Sequence, residues 1–121
     1  MRTALLAASL VLAASAHAAP PEQFALRSAG DLARLCGTPS SDKDAATALA
    51  FCHGVLAGAY GYFTSATPAA DRFICTPNPA PTRTQVANGF VGWMKARPQF
   101  EKDGAIDALF RFAAEAYPCK R

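Results

Sequence analysis

Apolar residues recur at three- and four-residue spacing along most of this chain, and that period predicts helices. Leu32 and Leu35 follow Ser28-x-x-Asp31, a helix-start pattern in which a hydroxyl and a carboxylate each satisfy a backbone N–H. Gly37 closes this short first helix. The second helix is long: Pro39 precedes it, Ser41-x-x-Asp44 caps it, and Pro68 stops it near Ala66. Leu49, Cys52, Leu56, Tyr60 and Phe63 share one face, while Ala50, Gly54, Gly58 and Gly61 form a second face of small residues. Each helical glycine costs about 1 kcal/mol against alanine, so the small face predicts close approach of another backbone. In a membrane, G-x-x-x-G spacing would signal helix dimerisation. Here Asp42, Lys43, Asp44 and His53 point instead to packing in a soluble core.

Residues 67–81 carry Pro68, Pro77, Pro79 and Pro81 and predict a stiff connection with Cys75 at its middle. Thr82-x-x-Gln85 opens a third helix with Val86, Phe90, Trp93 and Met94 inward, and Pro98 ends it. After a short loop at 99–102, Asp103 caps a fourth helix that buries Ile106, Leu109, Phe110, Ala113 and Tyr117. Pro118 stops it, and Lys120 and Arg121 complement the negative end of its dipole. No run shows the β-branched alternation of strands. The pattern predicts an all-α fold, a small four-helix bundle-like domain.

Residues 1–18 follow a different pattern. Met1-Arg2 is a positive start, 4–14 is a run of Ala, Leu, Val and Ser, and Ala16 and Ala18 stand at −3 and −1 of a cleavage site. These three parts predict a signal peptide cleaved after Ala18, with a single domain over 19–121. The apolar run is shorter than the ~18–20 residues a membrane span needs. Position 19 is Ala and not Cys, so no lipid anchor is expected. Pro20 and Pro21 predict an extended start to the mature chain. Removing Arg2 leaves eleven basic against nine acidic residues, a formal +2, and the basic residues form no stripe. Nucleic acid is not an expected partner.

Cys36, Cys52, Cys75 and Cys119 all lie in the mature part. An even count in a small exported domain predicts disulfides, and four cysteines allow three pairings. The helix layout favours one. A tight loop makes the third and fourth helices antiparallel, which brings Cys119 near Cys75. Cys36, closing the first helix, then lies within reach of Cys52.

Candidate chemistry is sparse. His53 is the single histidine of the mature chain, and a Ser-His-Asp or Cys-His pair would depend on it. Cys52-His53 resembles the end of a C-x-x-C-H haem site, but Leu49 stands where the first cysteine would be. No C-x-x-C or H-x-x-x-H spacing predicts a metal site. Asp42/Asp44 and Asp103/Asp107 fall at helix starts, where carboxylates complement the dipole. The glycines stand mid-helix and form no phosphate loop. The reading is a binding protein, not an enzyme, with no cofactor and no metal. Contact residues are expected where aromatics and charges share a loop: Arg72 and Phe73 in the proline-rich connection, and Arg97, Gln99, Phe100, Glu101 and Lys102 between the third and fourth helices.

Four elements in order carry a family resemblance. Cys52-His53-Gly54-Val55-Leu56-Ala57-Gly58 resembles the C-x-G…G helix of the Rap/Tai immunity proteins of type VI secretion systems. Cys75-Thr76-Pro77 resembles its C-x-P element, and Gln85-Val86 with Trp93-Met94 through Pro98 its third helix. Ala108-Leu109 and Tyr117-Pro118-Cys119-Lys120 resemble its closing A-L and [FY]-P-C-K elements. The resemblance covers about 32–120. It implies an all-helical periplasmic protein, often a homodimer, whose partner is a secreted peptidoglycan amidase blocked by steric occlusion of its active-site groove. Gly61 departs from it, because the family often has an acid there.

Two other readings fit the size and disulfides. A periplasmic acid-stress chaperone needs a pH switch, and one histidine without a carboxylate cluster offers little for one. A lipid or small-ligand carrier needs a large apolar cavity, whereas Ala/Gly-rich helices predict tight packing.

Overall fold

The computed structural model describes residues 21–120. The proposed signal peptide lies outside the described residues. Four helices follow in order: α1 (Ala29–Cys36), α2 (Ala45–Ala66), α3 (Arg83–Lys95) and α4 (Ala105–Ala116). Short 3₁₀ turns occupy Pro21–Ala25, Ala69–Asp71 and Pro98–Phe100. Pro21 thus opens a turn rather than the expected extended segment. No strand occurs among the described residues, where an isolated antiparallel bridge joins Ile74 and Pro118.

The shortest helix is the hub, since α1 packs against α2, α3 and α4. Ser28 and Asp31 form the expected reciprocal cap. Two more backbone donors at the helix start find partners in the turn before α4: Ala29 N–H donates to Asp103 O (2.8 Å) and Gly30 N–H to Glu101 O (3.0 Å). A helix start buried in this way is tolerated because its otherwise orphaned donors are satisfied. Ala29, Leu32 and Leu35 are fully buried against Cys52, Phe90, Ala108 and Phe112. Each Leu contributes about 1.5–3 kcal/mol of burial. Gly30 admits the turn at close range: a Cβ there would stand 2.7 Å from Glu101 Cγ.

The second helix begins later than its sequence cap predicts. Ser41 does not cap it; Asp44 is the cap residue, without a side-chain hydrogen bond. Asp42 instead turns the chain, its carboxylate accepting from Asp44 N–H at 2.8 Å. Cys52, Leu56 and Phe63 are buried as the period predicts; Ala48 is buried where the period predicts Leu49, Leu49 is half-buried, and Tyr60 lies at the edge and is exposed. The small-residue face contradicts its expectation. Among the described residues, a Cβ at Gly54, Gly58 or Gly61 would meet nothing within 4 Å, so none of their backbone approaches this face. The helix packs by its other side, and the glycines lie outward.

Thr82 and Gln85 form the expected reciprocal cap of α3, which buries Phe90, Trp93 and Met94. It ends at Lys95, and Pro98 starts the following 3₁₀ turn. On α4 the expected cap and the expected face both shift. Gly104, not Asp103, is the cap residue, because Asp103 turns its carbonyl to α1. The buried residues are Ala105, Ala108, Leu109 and Phe112, while Ile106 is exposed. The helical period is right and its phase is off by one position. Small Ala105 and Ala108 belong to the core cluster around α1, a place that favours alanine over the bulkier neighbours.

Both expected disulfides are present, Cys36–Cys52 and Cys75–Cys119. The first is buried in the core. The second ties the proline-rich connection to the segment after α4. No helix among the described residues is long and apolar enough to cross a membrane.

Candidate partner-binding surface

The connection between α2 and α3 is a strap fixed at its base. Ile74 bridges Pro118, Cys75 N–H donates to Tyr117 O (2.9 Å), and the Cys75–Cys119 disulfide closes the same corner. Tyr60 and Thr76 share a hydroxyl hydrogen bond of 2.6 Å. Beyond that base, residues 76–80 are exposed, and the Asn78–Pro79 peptide is cis.

The two residues singled out on this strap have different roles. Arg72 points back at the end of α2, where its Nε donates to Thr67 O (3.1 Å) and its Nη2 to Thr64 O (2.6 Å). A cation on the last carbonyls suits both the orphaned acceptors and the negative end of the helix dipole. Phe73 remains 48% exposed, its ring edge-on to Phe63 at 5.1 Å. Phe63 in turn touches Phe110 of α4 at 5.5 Å. An exposed aromatic thus stands on a backbone held at both sides.

The second group, between α3 and α4, is mostly claimed by the fold. Phe100 lies flat on Trp93 with centroids 5.3 Å apart, and the Arg111 guanidinium sits over the Phe100 ring. Arg97 covers Trp93 and reaches Glu115 at 2.9 Å, and the same carboxylate oxygen accepts from Trp93 Nε1. Glu101 pairs with Arg34 at 3.2 Å. Only Gln99 and Lys102 of this group are exposed without such partners among the described residues. No hydrogen bond, ion pair or aromatic contact joins this turn to Phe73 among the described residues.

Sequence reasoning missed one surface, the outside of α2. Ala50, Gly54, Ala57, Gly58 and Gly61 are exposed there, flanked by Phe51 and the 77% exposed Tyr62. Across its 22 residues this helix carries no Asp, Glu, Lys or Arg. A helix that is apolar on all sides is normally enclosed, so the uncharged exterior was the available signal. His53, on the same helix, is partly buried, and its Nε2 has no hydrogen-bond partner among the described residues. No group of three or more metal-ligating side chains gathers among the described residues.

A family model described as Rap1a immunity proteins matches residues 28–119. The chain belongs to the Rap1a immunity protein family. The match begins at the cap of α1 and ends at the last cysteine, so it spans the helical unit held by the two disulfides. No curated protein and no solved structure matches the chain. Within the family frame, the chemistry to explain is that of a surface meeting a toxin, and the strap, the α3–α4 turn and the exterior of α2 are its exposed candidates.

Proposed function

We propose that the chain is exported to the periplasm and there blocks an injected peptidoglycan amidase, a toxin of the type VI secretion class, by covering its active-site groove. The observation that carries this reading is the family match over 28–119. The two disulfides support an oxidising compartment. The leader pattern of residues 1–18 supplies the route, leaving 19–121 as the mature chain. The protein acts by contact and not by catalysis.

The strap is the segment best suited to enter a groove. Its base is fixed by a bridge, a hydrogen bond and a disulfide, so little chain entropy remains to be lost on binding. Phe73 is its aromatic anchor, with Gln99 and Lys102 as further contacts. Arg72, Arg97, Phe100 and Glu101 hold the two segments in place. Gly61 stands exposed where the family often has an acid; if that position contributes to toxin contact, the specificity here differs or is lost. A homodimer, which the resemblance also implies, fits the uncharged exterior of α2.

Expression in a bacterial host tests this reading. The full chain is expected to protect cells against its cognate peptidoglycan amidase, sought among type VI amidases, when that amidase is sent to the periplasm. A version lacking residues 1–18 gives no protection. Equal protection by both versions contradicts the proposed compartment.

A further inference from the structure

We propose that a groove between α2, the strap, α3 and α4 binds an anionic amphiphile, one medium-length alkyl chain ending in a carboxylate. The groove has a volume of about 360 Å³, near the low end of the ~300–1,000 Å³ of small-molecule sites. Leu56, Ile74, Val86, Leu109 and Phe110 line it, and Pro77 and Pro81 of the strap border it. An alkyl chain is the complement of such a lining.

The charge of the groove selects the head group. Arg83 is the one charged residue lining it. It forms no ion pair among the described residues. It is also the first residue of α3, so the residue lies where the positive end of a helix dipole meets the groove. Tyr60 and Thr76 line the groove as well. Their hydroxyls have two protons and one mutual hydrogen bond, which leaves one O–H free to donate. The hydroxyls of Tyr60, Thr76 and Tyr117 can donate as well as accept, so it is the Arg83 charge that makes this set suit a carboxylate and repel an ammonium.

A larger groove of about 580 Å³ lies along α1 and α3, but it selects no sign of charge. Arg34, Asp42, Lys95 and Glu101 all line it, and Arg34 is already paired with Asp31 and Glu101. The Ala/Gly-rich helices predict tight packing and argue against a ligand carrier; the groove under the strap departs from that expectation. This proposal is independent of the toxin-binding reading.

The test uses the mature chain with both disulfides intact. Decanoate, decyltrimethylammonium and acetate are titrated below micellar concentrations and followed by methyl NMR shifts. Decanoate is expected to saturate with shifts at Leu56, Ile74, Val86 and Leu109. Decyltrimethylammonium should bind at least about tenfold more weakly, the scale of one charge-assisted contact, and acetate should not bind. Arg83→Gln should weaken decanoate about tenfold without weakening decyltrimethylammonium. Ala113→Phe, which fills the groove, should abolish decanoate binding with circular dichroism unchanged; if it fails to fold, Val86→Phe on the α3 side of the groove replaces it. Non-saturable shifts, equal affinity for both head groups, an unaffected Arg83→Gln, or saturation centred on Val91 and Met94 overturns the proposal. So does saturation by a peptide pairing an apolar residue with an acid when decanoate does not bind.

Discussion

Phe73 and Phe100 are each an aromatic beside charged residues in a connection, but Phe73 stays half exposed and Phe100 is enclosed. Phe100 is sandwiched between Trp93 and Arg111. Phe100→Ala should cost about 2–3 kcal/mol, somewhat below the ~3–5 of a fully buried Phe, as measured by guanidinium unfolding. Phe73→Ala should cost under about 1 kcal/mol, because half of the ring is already exposed. It should weaken toxin binding at least about tenfold if the ring is an anchor. The sequence could not separate the two, because the Trp and Arg that enclose Phe100 come from different helices. Local signals at this scale were legible: Ser28/Asp31 and Thr82/Gln85 cap as their spacing predicts. Asp31 also carries a pH effect. Partial desolvation pushes its pKa up, but hydrogen bonds from Arg34 and Ser28, with the Arg34 charge, outweigh this and hold it below the ordinary aspartate value. A depressed folded-state pKa stabilises the fold above the unfolded value near ~3.9 and is lost as pH falls through the folded value. Asp31→Asn should therefore be less stable at neutral pH, by about 0.3–1 kcal/mol, because the amide can still accept from Ser28 N–H but loses the charge that Arg34 and the helix start favour. It should also lose less stability than the parent between about pH 5 and pH 2.

At the scale of elements, helix existence was readable from period and capping, but helix orientation was not. Bulk does not mark the phase of α4, because the core around α1 takes Ala105 and Ala108. The glycine face of α2 has a related ambiguity: small residues permit close approach, but the sequence does not say from what. With nothing near Gly54, Gly58 or Gly61, each Gly→Ala should stabilise the folded chain by about 0.5–1 kcal/mol through helix propensity. Gly58→Leu should leave the fold intact and shift sedimentation toward monomer if a second copy uses this face. Gly30→Ala should act in the opposite direction. Its Cβ would press on Glu101, including the backbone oxygen at 3.2 Å, and should cost about 1–3 kcal/mol.

At the scale of the molecule, a small core and two staples work together. The disulfides close spans of 16 and 44 residues, and each should stabilise by about 2–4 kcal/mol. Cys36–Cys52 is enclosed and Cys75–Cys119 lies near the surface, so mild reductant should open the strap staple first, as read by mass mapping. The pairing was legible because loop lengths dictated which helix ends meet. The surface that meets a partner was not, because it depends on which residues the core leaves free. Occlusion of a peptidoglycan amidase by the strap is the proposed mode of inhibition. It is tested most directly by titrating candidate type VI peptidoglycan amidases with the purified mature chain and reading peptidoglycan cleavage. For the cognate amidase, linear loss of activity reaching zero at one chain per amidase is expected, with a rightward shift for Phe73→Ala. Undiminished cleavage at molar excess, with the same preparation preventing aggregation of unrelated proteins at acid pH, would contradict it and favour a chaperone.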